Sequence, residues 1–251
     1  MEGFTSINYG GNMFKDKFKI TNIPTVLWGE KSEKLFIAVH GNMSDKEDVV
    51  IQILAEEVLQ KGYQVLSFDL PEHGERKSDG IPCKVQFCVN ELSIIMNYAK
   101  EHWKEVNLFA CSMGAYFSLL AYQNDVLRKA LFLSPVVNME RIIENMMLCF
   151  NVTPERLQKE MTIETPIGQK LYWDYLCYVK QHPINTWNTD TNIMYGAKDE
   201  LCEIETINYF VKKYCCGLEI MDKGEHYFHT EEQLNEFKHW LQKHIDEQVL
   251  I

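Results

Sequence analysis

The chain has 251 residues, of which 46% are hydrophobic, and a formal net charge of -11. This length is enough for one α/β domain with a buried core and an insertion, and no stretch approaches the roughly 20 apolar residues that span a bilayer. The negative charge argues against nucleic acid or an anionic membrane surface as a partner.

The N-terminus and the cysteines indicate the cellular compartment. Residues 1–6 include neither a basic region nor an apolar run, so we expect no secretory signal. The 8 cysteines are scattered through apolar patterns without metal-ligand spacing, and Cys215 is adjacent to Cys216, which is too close for an easy disulfide. We therefore expect reduced core thiols, no metal site and a cytoplasmic protein.

The first predicted strands lead to a turn over a sheet edge. Two of them form a scaffold hairpin, over residues 12–19 and 23–28. Residues 35–39 predict a buried strand that ends at His40 and Gly41. Gly41 lets the chain turn back, so that the backbone N–H of Asn42 or Met43 can point at a developing oxyanion. Alternatively, this turn merely ends the strand.

Helices and strands then alternate with short joins. The predicted elements are a helix, a strand and a second helix, over residues 45–60, 64–68 and 86–103. Ser44 and Asp45, with Glu47 after them, suit the start of the first helix. The alternation is typical of βαβ units and a parallel sheet. His73 follows the strand in a loop, where we interpret it as a structural hydrogen-bonding residue rather than a catalytic one.

The segment around Ser112 predicts a sharp turn from strand to helix. Residues 106–110 predict a buried strand, and the pattern becomes helical after Gly114. Small residues, Ala110 and Gly114, stand two positions before and after Ser112. Such a turn exposes the serine hydroxyl at the strand's C-terminal end, in front of a helix N-terminus. The alternative is that Ser112 is an ordinary helix N-cap.

After a buried strand over residues 129–133, the composition changes. Residues 138–188 contain no strong strand pattern and are rich in methionine and aromatic residues. Two or three helical patterns are predicted there, over residues 140–150, 154–159 and 168–180. The sequence therefore predicts a helical cap, residues 138–188, inserted into a core domain formed by residues 1–137 and 189–251.

The cap residues have two predicted roles. Methionine and aromatic side chains usually form the cap's own packing against the main domain. A cap above the strand ends also walls an apolar substrate pocket. We expect Met146 and Trp173 of the cap, together with Gly41, to contact the substrate.

Two further polar residues lie at the predicted sheet edge. The alternation resumes after the cap with a strand, a helix, a strand and a final helix, over residues 192–195, 201–214, 218–221 and 231–244. Asp199 follows the first of these strands, and His226 follows the second. Because the carboxyl ends of parallel strands meet at one edge, we expect both residues to lie near Ser112.

Ser112, His226 and Asp199 together supply the groups of a nucleophilic triad. A serine hydroxyl becomes a good nucleophile when an imidazole takes its proton, and the imidazole needs a carboxylate to fix its tautomer. Each residue alone has a simpler explanation, as an N-cap, a solvated side chain or a turn residue. Competing candidates are Glu200 or Asp222 for the carboxylate, His229 for the imidazole and Cys111 for the nucleophile.

These motifs resemble those of the α/β-hydrolase fold over nearly the whole chain, and are most similar to the serine aminopeptidase-like and monoacylglycerol lipase-like esterases. The matching segments are residues 40–41, 69–74, 110–114, 196–199 and 224–226. The resemblance implies Ser112 as nucleophile, His226 as general base and acid, and Asp199 as its orienting carboxylate. It also implies an oxyanion hole from the backbone N–H groups of Asn42 and Met113, with no metal or organic cofactor.

The chain departs from this pattern at a few positions. Ala110 stands where glycine is usual, which is tolerable because alanine is nearly as small. Glu72 and Arg76 replace small residues around the His-Gly loop. We expect these two charged residues to alter the mouth of the pocket.

The leading hypothesis is a serine hydrolase that cleaves carboxylic esters with small, medium or aromatic acyl groups through an acyl-enzyme. A thioesterase or a small peptidase would use the same triad, and a peptidase would need acidic groups for a substrate amine, for which Glu140, Glu144 and Glu164 are available. A non-catalytic hydrolase-like protein that binds a ligand is a further alternative. The expected partner is a small-molecule ester, and a homodimer is compatible with the sequence.

Overall fold

The computed structural model describes residues 13–245, so the predicted strand start at Asn12 and the ends of the predicted core domain lie outside the described residues. The strands are β1 (Lys15–Ile20), β2 (Ile23–Trp28), β3 (Lys34–Val39), β4 (Gln64–Phe68), β5 (Glu105–Cys111), β6 (Ala130–Leu133), β7 (Thr162–Glu164), β8 (Lys170–Tyr172), β9 (Thr191–Gly196) and β10 (Gly217–Met221). The helices are α1 (Val49–Leu59), α2 (Val85–His102), α3 (Ser112–Ala121), α4 (Met139–Cys149), α5 (Pro154–Glu160), α6 (Trp173–Gln181), α7 (Ile204–Tyr214) and α8 (Glu231–Ile245), with a short 3-10 turn at Gly74–Arg76.

The main sheet has 8 strands in the order β1-β2-β4-β3-β5-β6-β9-β10. β2 pairs antiparallel with both β1 and β4, and the remaining neighbours pair in parallel. The register places Val39 of β3 opposite Ala110 of β5, and Cys111 opposite Leu133 of β6. The C-terminal ends of the parallel strands therefore meet at one edge. The predicted α/β class with a mostly parallel sheet is confirmed.

Helices cover both faces of the sheet, which explains why its central strands are apolar without alternation. Side chains of α1 and α8 pack against one face of the sheet, where the strand side chains include Phe36 and Phe109. Side chains of α2, α3 and α7 pack with the other face, including Ile37 and Leu108. No helix within residues 13–245 has the length and apolar composition that crossing a membrane requires.

Three helices begin later than the sequence predicts, and one of them is α7, which begins at Ile204 rather than at Leu201. The predicted helix start at Ser44 and Asp45 is wrong, because the Asp48 side chain accepts the Val50 N–H (3.1 Å) as the N-cap of α1. In the predicted helix over residues 168–180, the first residues instead pair as β8 with β7, so α6 begins at Trp173. Strand pairing with a distant segment overrides local helix propensity there.

The segment predicted as a cap, residues 138–188, contains α4, α5, the β7-β8 hairpin and α6. Its buried apolar side chains belong to the same cluster as those of α2 and α3, and include Ile143, Met147, Leu157, Leu171, Leu176 and Val179. The Lys84 ammonium before α2 also contacts the Asp174 carboxylate of α6 at 2.8 Å. The segment thus packs on the main sheet through a continuous hydrophobic core, and its description as a separate cap unit stays a prediction.

Arg76 does not lie at the pocket mouth, contrary to expectation. Its guanidinium is buried and donates to both carboxylate oxygens of Glu91 in α2 (2.5 and 2.8 Å), to Asp79 (2.7 Å) and to the Asp69 carbonyl (3.2 Å). A buried guanidinium needs such partners because it loses its hydration. Arg76 therefore fastens the loop after β4 to α2.

We predict that Arg76→Ala lowers the free energy of unfolding by about 3–5 kcal/mol. The Glu91 carboxylate, which is only 13% exposed, would lose its guanidinium partner. Urea denaturation followed by circular dichroism measures this loss. The control is Lys104→Ala, which breaks a pair with Glu33 in which both side chains are exposed. That change should cost less than about 1 kcal/mol. Equal losses in the two variants would contradict the role given to Arg76.

Candidate active site

Ser112 lies at a tight junction between β5 and α3. Its φ is 49°, a left-handed conformation that is uncommon for a residue other than glycine. A Cβ at Gly114 would overlap with the His40 carbonyl oxygen and lie 2.9 Å from that of Val39, so the start of α3 packs directly on the end of β3. The N-cap position of α3 belongs to Cys111, which makes no side-chain cap. The interpretation of Ser112 as an ordinary N-cap is therefore wrong.

The loops after β9 and β10 contact each other through two glycines. A Cβ at Gly224 would lie 2.8 Å from the Gly196 Cα, so neither position has room for a side chain. The Lys198 N–H donates to the Gly224 carbonyl at 2.8 Å and fixes the contact. This close approach places Asp199 of one loop beside His226 of the other.

The structure brings Ser112, His226 and Asp199 into one hydrogen-bonded chain. The distance from Ser112 Oγ to His226 Nε2 is 2.8 Å, and that from His226 Nδ1 to Asp199 Oδ2 is 2.7 Å. The Asp199 side chain is fully buried, and its Oδ1 accepts the N–H groups of Leu201 and Cys202, both at 2.8 Å. Because the carboxylate accepts the Nδ1 proton, Nε2 is left as an acceptor for the serine hydroxyl.

Two of the competing candidates, His229 and Cys111, lie elsewhere. His229 Nδ1 bonds the Tyr227 carbonyl at 2.8 Å, and its nearest carboxylate is that of Glu225. Cys111 packs on the sheet face covered by α1 and α8, and burial raises the pKa of its thiol well above the usual value. Neither side chain replaces a member of the chain formed by Ser112, His226 and Asp199.

A possible set of metal ligands overlaps this same chain. Ligand atoms of Asp199, Cys202 and His226 lie within 4.8 Å of one another. Two of the three residues already bond each other, and burial raises the pKa of the Cys202 thiol, which keeps it protonated. A metal ligand must be deprotonated. The hydrogen-bonded chain is therefore the better description of these residues.

His40 fixes the turn that follows β3. The Leu70 N–H donates to His40 Nε2 at 3.0 Å, so the ring proton is on Nδ1, which donates to the Gly41 carbonyl at 2.7 Å. Burial lowers the pKa of His40 to about 4, despite the bond to Gly41. A neutral His40 thus joins the turn after β3 to the loop after β4.

Asp69 is a structural residue that sequence analysis missed. Its fully buried carboxylate accepts the backbone N–H of Lys46 (3.0 Å), the Lys46 ammonium (2.6 Å) and the Glu75 N–H (2.9 Å). The same two loops are therefore also joined through an ion pair. Asp69 does immediately follow a buried strand, but nothing local in the sequence pairs it with Lys46.

His73 supports Asn42, in agreement with its predicted structural role. Its Nδ1 bonds the Pro71 carbonyl at 2.7 Å, and its Nε2 lies 3.2 Å from Asn42 Oδ1. Asn42, which is predicted to contribute to the oxyanion hole, is thereby bonded to the loop that follows β4.

A cavity of about 810 Å³ lies in front of Ser112. Asn42 and Met113, the residues expected to form an oxyanion hole, lie beside Ser112 in its wall. A second part of the wall comes from one side of α4, with Met139, Ile142, Ile143 and Met146. A polar part includes Glu72, His73, Lys77 and Lys170. Glu72, which is expected at the pocket mouth, is an exposed residue of the cavity wall.

Of the predicted substrate-contacting residues, Met146 lines this cavity and the other two do not. Gly41 packs behind it, where a Cβ would lie 3.1 Å from the Ser112 Cβ. Trp173 packs against the hydrophobic core at the start of α6, and its neighbours Tyr172 and Tyr175 line the cavity instead. The helix predicted over residues 168–180 does not show this difference, because pairing of β8 with β7 determines where α6 begins.

No protein-family model and no curated protein matches the sequence. Solved structures do match. Est1E from Butyrivibrio proteoclasticus, solved with ferulic acid, is 19% identical with a TM-score of 0.77, and the match covers 93% of this chain and 99% of that chain. The α/β hydrolase domain-containing protein 10 from mouse is 13% identical with a TM-score of 0.75 over 93% of this chain and 98% of that one. The Pyrococcus furiosus esterase PF2001 is 18% identical with a TM-score of 0.68, and the match covers 92% of this chain and 89% of that one.

The chain has the α/β-hydrolase fold. Both the topology of the sheet and the nearly complete overlap with these structures support this statement. At identities of 13% to 19%, they establish the fold alone.

The buried His40 of this α/β-hydrolase fold makes stability depend on pH. Its pKa is about 4 in the folded protein and near 6.5 when unfolded, so the unfolded state binds more protons between these values. Stability from this group is therefore complete above pH 6.5 and is lost as the pH falls toward 4. Between pH 7 and pH 5 the expected loss is about 2 kcal/mol.

Urea denaturation of the wild type and of His40→Gln at both pH values measures this contribution. The glutamine keeps an acceptor for the Leu70 N–H but does not titrate. The wild type should lose about 2 kcal/mol more than the variant between pH 7 and pH 5. Parallel losses in the two proteins would show that His40 does not titrate as described.

Proposed function

We propose that this protein is a serine hydrolase that cleaves carboxylic esters through an acyl-enzyme intermediate. The observation that carries the proposal is the hydrogen-bonded chain from Ser112 through His226 to the buried Asp199. It opens on a cavity large enough for a small-molecule ester. A protein that only bound a ligand would have no need of all three groups in this order.

In the first step, Ser112 Oγ attacks the ester carbonyl while His226 Nε2 takes the hydroxyl proton. The Asp199 carboxylate stabilises the imidazolium that forms. It also holds the ring in place, because its second oxygen is already bonded to the Leu201 and Cys202 N–H groups. His226 then returns the proton to the departing alcohol. In the second half, water attacks the acyl carbonyl while His226 takes its proton, and His226 gives this proton to Ser112 Oγ as the bond to the acyl group breaks.

The negative charge on the carbonyl oxygen needs hydrogen-bond donors during both steps. Met113 is the second residue of α3, and its N–H belongs to the first turn, which has no intrahelical acceptor. Asn42 lies beside it in the cavity wall, in a turn fixed by His40 and His73. We propose the backbone N–H groups of these two residues as the oxyanion hole.

The cavity wall supports an ester with a small to medium or aromatic acyl group. Apolar side chains of α4 form one side, and the aromatic rings of Tyr172 and Tyr175 form another. The structure of Est1E contains ferulic acid, an aromatic carboxylic acid, on a similar fold. A thioester would fit the same groups, so thioesterase activity is the second candidate.

Peptidase activity is less well supported, because the glutamates considered for binding a substrate amine do not line the cavity and already pair with lysines. Glu140 and Glu144 lie 3.4 and 3.8 Å from the Lys180 ammonium. Glu164 lies 3.3 Å from that of Lys170, and its own side chain is exposed.

We predict that Ser112→Ala reduces kcat/KM for a p-nitrophenyl ester by at least about 10⁴-fold and abolishes labelling by a fluorophosphonate probe. Cys111→Ala is the matched control, since it removes the neighbouring potential nucleophile and should retain both activities. Hydrolysis and labelling that persist in Ser112→Ala would refute the proposal. A wild-type protein that is inert toward ester and thioester panels, yet binds a small ligand tightly, would favour the non-catalytic alternative.

The α4 wall should set acyl-group selectivity. Met146→Trp fills the cavity, so kcat/KM for an aromatic acyl ester should fall at least about tenfold, with a smaller loss for an acetate ester. The control is Leu148→Trp on the same helix, where the side chain is 80% exposed and outside the cavity wall. Steady-state rates with the two esters test this. Equal losses for both substrates would contradict a role of Met146 in acyl selectivity.

A further inference from the structure

Two cysteines meet at the start of α2, in the wall of the cavity. Cys83 precedes the N-cap residue Lys84, and Cys88 is the fourth residue of the helix. Apolar residues at these two positions commonly pack together and fix the direction in which the chain enters a helix. Here the pair consists of thiols, whose sulfur atoms lie 3.7 Å apart.

The two thiols have different surroundings. Cys83 is partly exposed and lines the cavity, and its backbone N–H donates to Glu72 Oε2 at 2.7 Å. Cys88 is fully buried among the side chains of α2 and α3. A reagent that enters the cavity therefore reaches Cys83 first, with Cys88 directly behind it.

The pKa values of the two thiols are shifted in opposite directions. The hydrogen bond from Cys88 lowers the pKa of Cys83 to about 6, with His73 acting in the same direction and burial opposing both. Burial, together with Cys83, raises the pKa of Cys88 well above its usual value. These shifts favour the thiolate at Cys83, which faces the cavity, and the protonated thiol at Cys88 behind it.

We propose that Cys83 and Cys88 form a redox-active pair that hydroperoxides oxidise to a disulfide, with Cys83 as the attacking thiol and Cys88 as the resolving thiol. The attacking sulfur needs access and a neighbouring thiol to reach the disulfide state, and the cavity and the sulfur contact supply both. The proposal does not depend on the role of Ser112. It adds a modification site at a residue of the cavity wall, Cys83, that has no assigned role in ester hydrolysis.

The chemistry balances with hydrogen peroxide as the only oxidant. The Cys83 sulfur attacks one peroxide oxygen and the O–O bond breaks. The released hydroxide takes a proton to give water, and Cys83 is left as a sulfenic acid. Cys88 then loses its proton and attacks the Cys83 sulfur, and the S–O bond breaks. The second hydroxide takes the Cys88 proton, so each sulfur has lost one electron and the peroxide has become two waters.

Little movement is required. A disulfide has an S–S distance of about 2.05 Å, so the two sulfurs must approach by about 1.7 Å. Cys83 lies in the loop before the helix, where a side-chain rotation does not disturb helical hydrogen bonds. The other cysteines offer a comparison, since Cys149 and Cys215 are exposed, contrary to the expectation of core thiols.

Oxidation of the full chain by hydrogen peroxide at pH 6, followed by alkylation and mass spectrometry, tests the proposal. Trypsin cuts after Lys84, so a disulfide would join residues 78–84 to residues 85–100 with the loss of two hydrogen atoms. We expect Cys83 to oxidise on the order of tenfold faster than Cys149 and Cys215, because it lines the cavity beside a second thiol and its lowered pKa favours the reactive thiolate. Dithiothreitol should reverse the product.

Variants separate the two roles. In Cys88→Ser, the sulfenic acid at Cys83 should persist and be trapped by dimedone, whereas in Cys83→Ser, Cys88 should stay reduced. Cys149→Ser is the control and should oxidise like the wild type. Oxidation of Cys83 no faster than that of Cys149, or a disulfide to another cysteine, would overturn the proposal. Ser112→Ala should form the disulfide normally, so failure of the proposed hydrolase activity would leave this result unchanged.

Discussion

Two buried carboxylates hold the loops at the carboxyl edge of the sheet. Asp69 accepts hydrogen bonds from Lys46 and from the Glu75 backbone, and Asp199 accepts from two backbone N–H groups and from His226. A charge removed from water requires partners of this kind, and the resulting charge-assisted bonds are short and directional. One carboxylate orders the loops around the proposed oxyanion hole, and the other orders the proposed base. Ser112 lies between these two halves, at the end of the central strand β5.

The loops have such definite positions because the strands below them end in register. Parallel pairing of β3, β5, β6, β9 and β10 brings distant parts of the sequence to one edge. For this reason the positions of Ser112, Asp199 and His226 could be predicted from the sequence: each follows an apolar strand segment that is recognisable locally. The geometry between them depends on little more than the order of the strands and on small residues at the turns.

Other parts of the site could not be predicted, because they depend on contacts between segments without a local signal. Lys46 and Asp69 form an ion pair across two loops, and neither residue differs in its local pattern from an ordinary turn residue. The β7-β8 hairpin is too short to show strand alternation, yet it decides that Tyr172 and Tyr175 line the cavity while Trp173 packs inward. In each case tertiary packing, rather than propensity, determines which side chain reaches the cavity.

The hydrogen bond between His226 and Asp199 depends on a contact between Gly196 and Gly224, two residues that have no functional group. Gly196 lies three residues before Asp199, and Gly224 lies two residues before His226. The two glycine backbones meet where a methyl group would not fit. Substitution of either glycine by a larger residue would push the His226 imidazole and the Asp199 carboxylate apart while leaving both residues unchanged. In a lineage of such proteins, the loss of one of these glycines would therefore break the hydrogen-bonded chain of Ser112, His226 and Asp199 before any of its three members had changed.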